Sequence, residues 1–412
     1  MNLASNIFIS LLAAGLTAAF ILLLSPIARS IDLVAYPGGR GIRQHSQPVP
    51  LVGGISIILA VCLCALLSPI NLSHFRVLFF SVILLTFVCV LDDHRDIKAS
   101  IKFLFQILVV GILIHFDDVT VLYLGELFPD QGRQGLGWFA VPFTLVAIIG
   151  VMNAVNMIDG HDGLAGSCAL ITLCAILLLP GLMVQPELTQ LQSGRLMDQV
   201  KELYHHLSPD ILVEAISTLQ VRFEIGYAIR AFILLILAPL FIFTIFNVNK
   251  NPIFGQNRQV YLGDAGSVFL GLVIAYTLIK LSDSSFYYYQ SDAGYDYYRP
   301  GTFIPANSAS WFVGLPLVDM IAVLFVRMFR RDSLVIGDRR HLHYLLVDRG
   351  WSRLSVLVTL ILVHLLLVLI GFMSIVRNWP DFILFWGFVG LIIAHIAVRS
   401  ILGRRPTKSN TI

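Results

Sequence analysis

Eleven apolar windows place the strongest constraint on how this chain can fold. They cover residues 5–28, 51–70, 76–91, 101–116, 138–156, 163–183, 228–247, 264–281, 308–326, 354–376 and 381–401. A helix needs about 20 mostly apolar residues to cross the hydrocarbon core of a bilayer. Because 57% of the residues are hydrophobic and only 13% are charged, a soluble domain could not keep this surface from water. The windows therefore predict an all-α polytopic membrane protein with about eleven transmembrane helices, forming a single integral-membrane domain over residues 1–412.

The charged residues between the windows predict the orientation in the membrane. An odd number of spans puts the two termini on opposite sides. Most of the 28 lysines and arginines fall in one set of loops, whereas Asp117, Asp118, Asp292 and Asp296 fall in the other set. Because cytoplasmic loops are enriched in Lys and Arg, we expect the N-terminus outside and the C-terminus in the cytoplasm. The formal net charge of +3 gives no reason to expect nucleic acid as a partner.

Three segments outside the windows have distinct compositions. Residues 184–227 alternate polar and apolar side chains at helical spacing, which predicts an extracytoplasmic amphipathic helical insertion. Residues 286–303 are rich in Tyr and predict an extracytoplasmic loop, and residues 403–412 form a short basic cytoplasmic tail. The five cysteines stand in apolar runs without the spacing of metal ligands, so we expect them to pack as small core residues.

The polar stretch VMNAVNMIDGHDGLAG joins the fifth and sixth windows. Asn153, Asn156, Asp159 and Asp162 recur at every third position, with glycines between and after them. One carboxylate at the centre of a bilayer costs roughly 2.5–3.5 kcal/mol on insertion scales, so these groups belong at a membrane surface or in a wet cavity. Amides and carboxylates together suit recognition of a base or a sugar by hydrogen bonds. The alternative is an ordinary polar loop between helices.

Two further clusters supply carboxylates. Asp92 and Asp93 are adjacent where the third window ends, and adjacent carboxylates are tolerated chiefly when a cation or a proton lies between them. Asp264, in the stretch GDAGS, is the first residue of the eighth window, which predicts a position at a helix N-terminus. Mg²⁺ favours one or two carboxylates together with substrate phosphates and water. Asp264 with Asp92 and Asp93 therefore forms a candidate metal site, although a hydrated helix end and a simple N-cap explain each cluster alone.

The last two clusters are basic. Arg43 and His45 precede a Pro-rich turn and the glycine pair of the second window, and Arg339, His341 and His343 lie in the most basic cytoplasmic loop. Such residues suit an anionic ligand such as a diphosphate, although basic residues also flank membrane spans for topological reasons alone. In the predicted topology all five clusters fall on the cytoplasmic side, which favours one shared site.

Taken together and in this order, the five clusters resemble the polyprenyl-phosphate N-acetylaminosugar-1-phosphate transferase family. The resemblance rests on Pro50–Gly54, Asp92 with Asp93, NAVNMIDGHDG, GDAGS and DRRHLH, and it extends over about residues 5–400. It is greater to the bacterial members that act on undecaprenyl phosphate and UDP-GlcNAc than to the members that transfer phospho-MurNAc-pentapeptide. Tyr344 stands where a further His is usual in the family.

The resemblance implies a mechanism and a set of partners. It implies that an oxygen of undecaprenyl phosphate attacks the sugar-linked phosphorus of UDP-GlcNAc and that UMP leaves, at the cytoplasmic face of a bacterial inner membrane. Mg²⁺, with Mn²⁺ as a substitute, would lie on Asp264 and one of Asp92 and Asp93, and the other carboxylate would keep the lipid phosphate deprotonated or position it. The resemblance also implies a homodimer and the first membrane step of a surface polysaccharide such as O-antigen. Substrate contacts would come from Asn153, Asn156, Asp159, Asp162, Arg43 and His45, and charge compensation from Arg339, His341 and His343.

Two other functions fit part of the sequence. A secondary transporter also carries carboxylates within its spans, and Asp319 is an acidic residue well inside the ninth window. That class predicts inverted repeats and polar groups near the middle of the membrane, whereas the chain shows no repeat and its carboxylates cluster at the inner surface. The same phosphotransfer with another UDP-aminosugar, such as a 6-deoxy-HexNAc or MurNAc-pentapeptide, uses the same motifs.

Overall fold

The computed structural model describes residues 3–36, 48–68, 74–95, 97–179, 209–248, 258–282, 289–290, 296–297, 304–333 and 339–402. Helices dominate this part of the chain, as the apolar windows predict. In chain order the helices are α1 (Leu3–Ser30), α2 (Gly53–Leu67), α3 (Arg76–Arg95), α4 (Ala99–Asp117), α5 (Ala140–Ile158), α6 (Leu164–Leu177), α7 (Pro209–Asn247), α8 (Gly263–Ser282), α9 (Ala306–Phe312), α10 (Gly314–Arg330), α11 (Leu342–Asp348), α12 (Arg353–Val376) and α13 (Asp381–Leu402).

Short antiparallel strand pairs and one 3₁₀ turn complete the described structure. The strands are β1 (Val34–Ala35) paired with β2 (Val49–Pro50), β3 (Tyr123–Glu126) paired with β4 (Arg133–Gly135), and β5 (Tyr289–Gln290) paired with β6 (Asp296–Tyr297), and the 3₁₀ turn is Gly137–Phe139. None of these pairs forms a larger sheet within the described residues. The strands therefore only shape the connections between helices.

The multi-pass helical architecture is confirmed. Eight helices in the described part are long and apolar enough to cross a membrane, or nine when α9 and α10, which meet at 88°, count as one bent span. The shorter apolar helices α2 and α6 occupy two more of the predicted windows. Every predicted window thus contains an apolar helix, while the count of eleven spans and the orientation of the termini stay predictions.

The segments between the windows are described only in part. Helix α7 continues from Pro209 to Asn247 as one helix of 39 residues, so the second half of the amphipathic segment 184–227 is continuous with the span that follows it. Residues 184–208, the tail 403–412 and most of the Tyr-rich loop 286–303 lie outside the described residues.

Helix α8 forms the centre of the bundle. Its spanning window is 89% buried, because α2, α3 and α5 pack around it. It has no continuous polar face, which is typical of a helix enclosed on all sides. Two backbone hydrogen bonds join the start of α2 to the segment just before α8: Gly53 N–H donates to Tyr261 O, and Gly54 N–H donates to Leu262 O, each at 2.9 Å. These bonds fix the position of the N-terminus of α8 relative to the N-terminus of α2.

The contact between α2 and α8 requires glycine on both sides. A Cβ atom at Gly54 would collide with the backbone of Gly266 and would lie 2.6 Å from Leu262 O. Neither group can move away by a side-chain rotation. The N-terminus of α8 is therefore held by direct contact of two backbones, and its position depends on the absence of side chains there.

We expect Gly54→Ala to destabilise the protein by about 1–3 kcal/mol, the usual cost of overpacking, and to lower any activity that depends on the start of α8. Gly111→Ala is the matched control, since in the described part of the chain a Cβ atom at Gly111 meets nothing within 4 Å. Thermal unfolding in detergent compares the two variants. Equal stability of Gly54→Ala and Gly111→Ala would contradict the packing argument.

Candidate active site

The ends of three helices bring carboxylates and one lysine together. Asp92 and Asp93 lie in the last turn of α3, Asp264 lies in the first turn of α8, and Lys102 lies in the first turn of α4. The Lys102 ammonium contacts Asp92 Oδ2 and lies 3.0 Å from Asp264 Oδ2. The Asp92 side chain is only 4% exposed, so its charge needs this partner. The predicted grouping of Asp92, Asp93 and Asp264 is present in the structure.

Neighbouring groups fix the orientation of the carboxylates. Asn156, in the last turn of α5, donates to Asp264 Oδ1 at 3.1 Å and to Ser267 Oγ at 2.8 Å. The backbone N–H of Asp264 points at the Asp93 carboxylate, 3.2 Å from Oδ2. Asp93 therefore places a negative charge at the N-terminus of α8, where the helix dipole favours an anion. The second carboxylate of the pair, Asp92, accepts from Ile97 N–H at 2.8 Å.

The carboxylate cluster fits a divalent cation. Asp92 and Asp264 already share one cationic atom, the Lys102 ammonium, so their oxygens converge on a common point. Within the described residues there is no group of three or more His, Cys, Asp or Glu side chains that could hold a metal by themselves. Two carboxylates completed by phosphate oxygens and water are what Mg²⁺ prefers. The donor set thus matches a metal that binds together with a phosphorylated substrate.

The polar stretch after α5 forms a tight turn beside this cluster. Helix α5 ends at Ile158 and α6 begins at Leu164, so Asn153 and Asn156 are helical while Asp159 and Asp162 lie in the turn. Gly163 has φ of +80°, a conformation that favours glycine. Its N–H donates to Asn247 Oδ1 at 2.6 Å.

A row of imidazole rings lies on the other side of this turn. His341 precedes α11 in extended conformation, so its ring stacks on that of His343, with centroids 5.9 Å apart and planes at 11°. The His343 ring lies 6.3 Å from the ring of His161, and Tyr344 Oη donates to Gly160 O at 3.4 Å. The loop residues Gly160 and His161 therefore connect the basic cluster to the helix that carries Asn156.

Burial keeps two of these imidazoles neutral. Desolvation, with the neighbouring His341 as the second cause, lowers the pKa of His343 to about 3. Desolvation also lowers the pKa of His161. The Nε2 atoms of His161 and His343 are buried and find no hydrogen-bond partner among the described residues. At neutral pH these rings can exchange hydrogen bonds with a ligand but carry no charge.

We expect His343 to make stability fall in acid. The unfolded state binds a proton near the ordinary His pKa of about 6.5, whereas the folded state binds it only near 3. Stability is therefore full above about pH 6.5 and decreases as the pH falls, by up to about 1.4 kcal/mol per pH unit. Unfolding midpoints of the wild type and His343→Gln between about pH 7.5 and 5.5 test this. The variant should show the shallower slope, and identical slopes would contradict the expectation.

The other predicted site residues have separate partners. Asn153 donates to Gln106 Oε1 at 2.9 Å, between α5 and α4. Asp162 Oδ2 lies 3.7 Å from Arg353 Nη1. Arg339 pairs with Asp348 at 2.5 Å, and its guanidinium lies over the Tyr344 ring, 4.9 Å from the centroid. Their roles toward a substrate stay predictions. Four further residues of the predicted clusters lie outside the described residues. They are Arg43 and His45, Asp96 after the Asp92–Asp93 pair, and Asp338 before Arg339.

Sequence reasoning missed three residues of the site. Lys102 bridges two carboxylates, His161 faces His343, and Asn247 links the turn before α6 to the segment before α8 by accepting from Gly163 N–H and donating to Val260 O at 3.0 Å. A lone lysine at the start of an apolar window, ten residues after Asp92, is the signal that could have identified Lys102. No local pattern distinguishes Asn247.

The chain is similar to known proteins over most of its length. The family model for glycosyl transferase family 4 matches residues 75–282. The chain is similar to an undecaprenyl-phosphate alpha-N-acetylglucosaminyl 1-phosphate transferase of Yersinia pestis, with 28% identity over 86% of this chain and 80% of the relative. It is similar to the protein of the same name in Escherichia coli K12, with 24% identity over 90% of this chain and 85% of the relative. A probable undecaprenyl-phosphate N-acetylglucosaminyl 1-phosphate transferase of Bacillus subtilis is 26% identical over 82% of this chain and 77% of the relative.

Proposed function

Because the chain belongs to glycosyl transferase family 4, we propose that it transfers GlcNAc 1-phosphate from UDP-GlcNAc to undecaprenyl phosphate. An oxygen of the lipid phosphate forms a bond to the sugar-linked phosphorus, and the bond from that phosphorus to the bridging oxygen breaks. UMP leaves with the bonding electron pair, and undecaprenyl-diphospho-GlcNAc remains in the membrane. The observation that carries the proposal is the carboxylate cluster of Asp92, Asp93 and Asp264. The names of the relatives, which are sugar-phosphate transferases, support the same class of reaction.

The charge of both substrates sets the task of the site. Each substrate is an anion, so transfer depends on neutralising the phosphates and holding them in line. We assign Asp92 and Asp264 to Mg²⁺, because these two carboxylates converge on one cation in the present structure. When bound, the ion would neutralise the diphosphate and orient it for attack. Asn156 holds Asp264 in place, and Asp93 positions the lipid phosphate from the end of α3.

The remaining polar groups bind the donor. In this proposal Asp159 and Asp162, in the turn after α5, hold the nucleotide and the sugar together with Asn153. His343 contributes a hydrogen bond rather than a charge, because its imidazole is neutral. Arg339, Arg43 and His45 compensate the phosphate charge. The site faces the cytoplasm of a bacterial inner membrane, where UDP-sugars are made available, and its product begins a surface polysaccharide such as O-antigen.

The decisive experiment labels the two halves of the donor separately. Purified protein is incubated with undecaprenyl phosphate, Mg²⁺ and UDP-GlcNAc that carries ¹⁴C in the sugar and ³²P in the sugar-linked phosphate. We expect both labels in the lipid extract and UMP in the water phase, in a reaction that EDTA abolishes. Transfer of ¹⁴C alone with release of UDP would overturn phosphotransfer. Transfer from another UDP-aminosugar but not from UDP-GlcNAc would overturn the donor assignment, and inactivity with every UDP-sugar would return the chain to the transporter class.

A further inference from the structure

A second buried carboxylate lies apart from the metal-binding cluster. Asp319, on α10, is 2% exposed and accepts three hydrogen bonds. His341 Nδ1 lies 2.7 Å from Oδ2, His395 Nε2 of α13 lies 3.0 Å from Oδ1, and Leu342 N–H lies 3.1 Å from Oδ1. A carboxylate this deeply buried is costly unless donors surround it. Asp319 therefore ties three segments, namely α10, the start of α11 and α13, at one point.

The hydrogen bond to Asp319 determines which ring nitrogen of His341 is free to act. An imidazole that donates through Nδ1 to a carboxylate leaves Nε2 without a proton when the ring is neutral. The His341 ring also stacks parallel to His343, which in turn faces His161 of the turn after α5. The Nδ1 side of the His341 ring is thus bound to Asp319. The ring belongs to the row His341, His343 and His161, and this row ends at the turn after α5 to which the proposed function assigns donor binding.

We propose that Asp319 is a positioning residue that fixes the orientation and the Nδ1–H tautomer of His341, with His395 holding the carboxylate from the opposite side. This inference rests on the proposed function. In it, Nε2 of His341 accepts the proton of the lipid phosphate monoanion, which leaves the attacking oxygen fully ionised. The imidazolium is stabilised by Asp319, and the proton balance closes when His341 gives that proton to UMP or to water. No other bond changes in this step.

Kinetics separate positioning from a purely structural role. We expect Asp319→Asn to lower kcat by about 10²–10⁴-fold, as when a carboxylate that orients a catalytic imidazole is replaced by an amide, and to change KM for UDP-GlcNAc less than about threefold. In a His341→Gln background, the same substitution should cost less than about threefold, because the residue it acts through is already absent. Additive losses in the double variant, or an unchanged kcat in Asp319→Asn, would overturn the proposal.

Asp381→Asn provides the matched control. Asp381 begins α13, the helix that carries His395, and its Oδ2 accepts from Glu126 N–H at 3.3 Å. It therefore ties the same helix to the rest of the fold without contacting a histidine of the row. Its loss should change stability but leave kcat near the wild-type value. An equal fall of kcat in Asp381→Asn would show that any loosening of α13 inactivates the enzyme and would overturn a specific role for Asp319.

A spectroscopic measurement needs neither activity nor a folded Asp319 variant. Wild-type protein labelled with ¹⁵N-histidine should show a His341 signal with a protonated Nδ1 and an unprotonated Nε2, assigned by its absence in His341→Gln. The opposite tautomer would overturn the proposal. If the wild type shows the expected tautomer but transfers no sugar phosphate, the proposed function fails while the Asp319–His341 hydrogen bond stands, so the two failures are distinguishable.

Discussion

Asp264→Asn is expected to lower sugar-phosphate transfer by about 10³-fold, the loss that follows when one preorganised electrostatic group is removed from a reacting centre. The carboxylate lies at the point where α3, α4, α5 and α8 meet, and it shares the Lys102 ammonium with Asp92. An amide of the same shape still accepts from Asn156 but cannot neutralise a cation. The fold should therefore survive while the capacity to bind Mg²⁺ decreases. The double-label assay measures the rate, and the thermal midpoint checks the fold.

The same two helices provide a control for Asp264→Asn. At the opposite ends of α4 and α8, Asp117 Oδ1 lies 3.2 Å from Lys280 Nζ, so Asp117→Asn also removes a carboxylate from a lysine pair between these helices. It should leave the transfer rate unchanged at saturating Mg²⁺. A similar loss in both variants would mean that helix packing, and not the charge of Asp264, explains the effect.

Lys102→Met is expected to reduce stability by about 2 kcal/mol when Mg²⁺ is absent. Breaking a buried ion pair usually costs about 3–5 kcal/mol because the remaining charge is left without a partner, and the cost is smaller here because the Lys102 side chain is 24% exposed and partly screened. In the variant Asp92 and Asp264 repel each other. A bound Mg²⁺ should relieve this repulsion, so added Mg²⁺ should raise the thermal midpoint of the variant more than that of the wild type.

Lys280→Met is the corresponding control for Lys102→Met. It removes the ammonium that pairs with Asp117 and should also lower the thermal midpoint. It should gain nothing from added Mg²⁺, because Lys280 pairs with Asp117 and does not bring two carboxylates to one point as Lys102 does. Recovery by Mg²⁺ in both lysine variants, or in neither, would argue against a metal at the Asp92–Asp264 cluster.

The features that sequence could predict are those with a short-range cause. Each apolar window contains an apolar helix, because a segment without water must satisfy its own backbone hydrogen bonds. The position of Asp264 in the first turn of α8 follows from its place immediately before an apolar run. The grouping of Asp92 with Asp264 was also predictable, since several carboxylates at helix ends on one membrane face need a common counter-charge.

The features that escaped sequence reasoning depend on distant partners. Lys102 reads locally as one more cytoplasmic lysine, and only the packing of α3, α4 and α8 reveals that it neutralises two carboxylates. Asp319 reads as a single acid inside a span. Its three hydrogen-bond donors come from segments separated from it by 22 to 76 positions. The 88° bend between α9 and α10 also interrupts what the hydropathy pattern predicts as one continuous window.

The enclosure of α8 has a consequence for how the protein enters the membrane. Among the eight candidate spans in the described part of the chain, α8 has the lowest mean hydropathy, 1.7, and the highest buried share, 89%. Insertion of α8 into lipid is therefore less favourable than insertion of the other candidate spans. We expect α8 to be stable in the membrane only when it packs against helices that are already inserted. Changes on the faces of α2 and α5 that meet α8, other than at Gly54 and Asn156 beside its first turn, should reduce the yield of assembled protein during biogenesis, while the molecules that do assemble turn over at the normal rate.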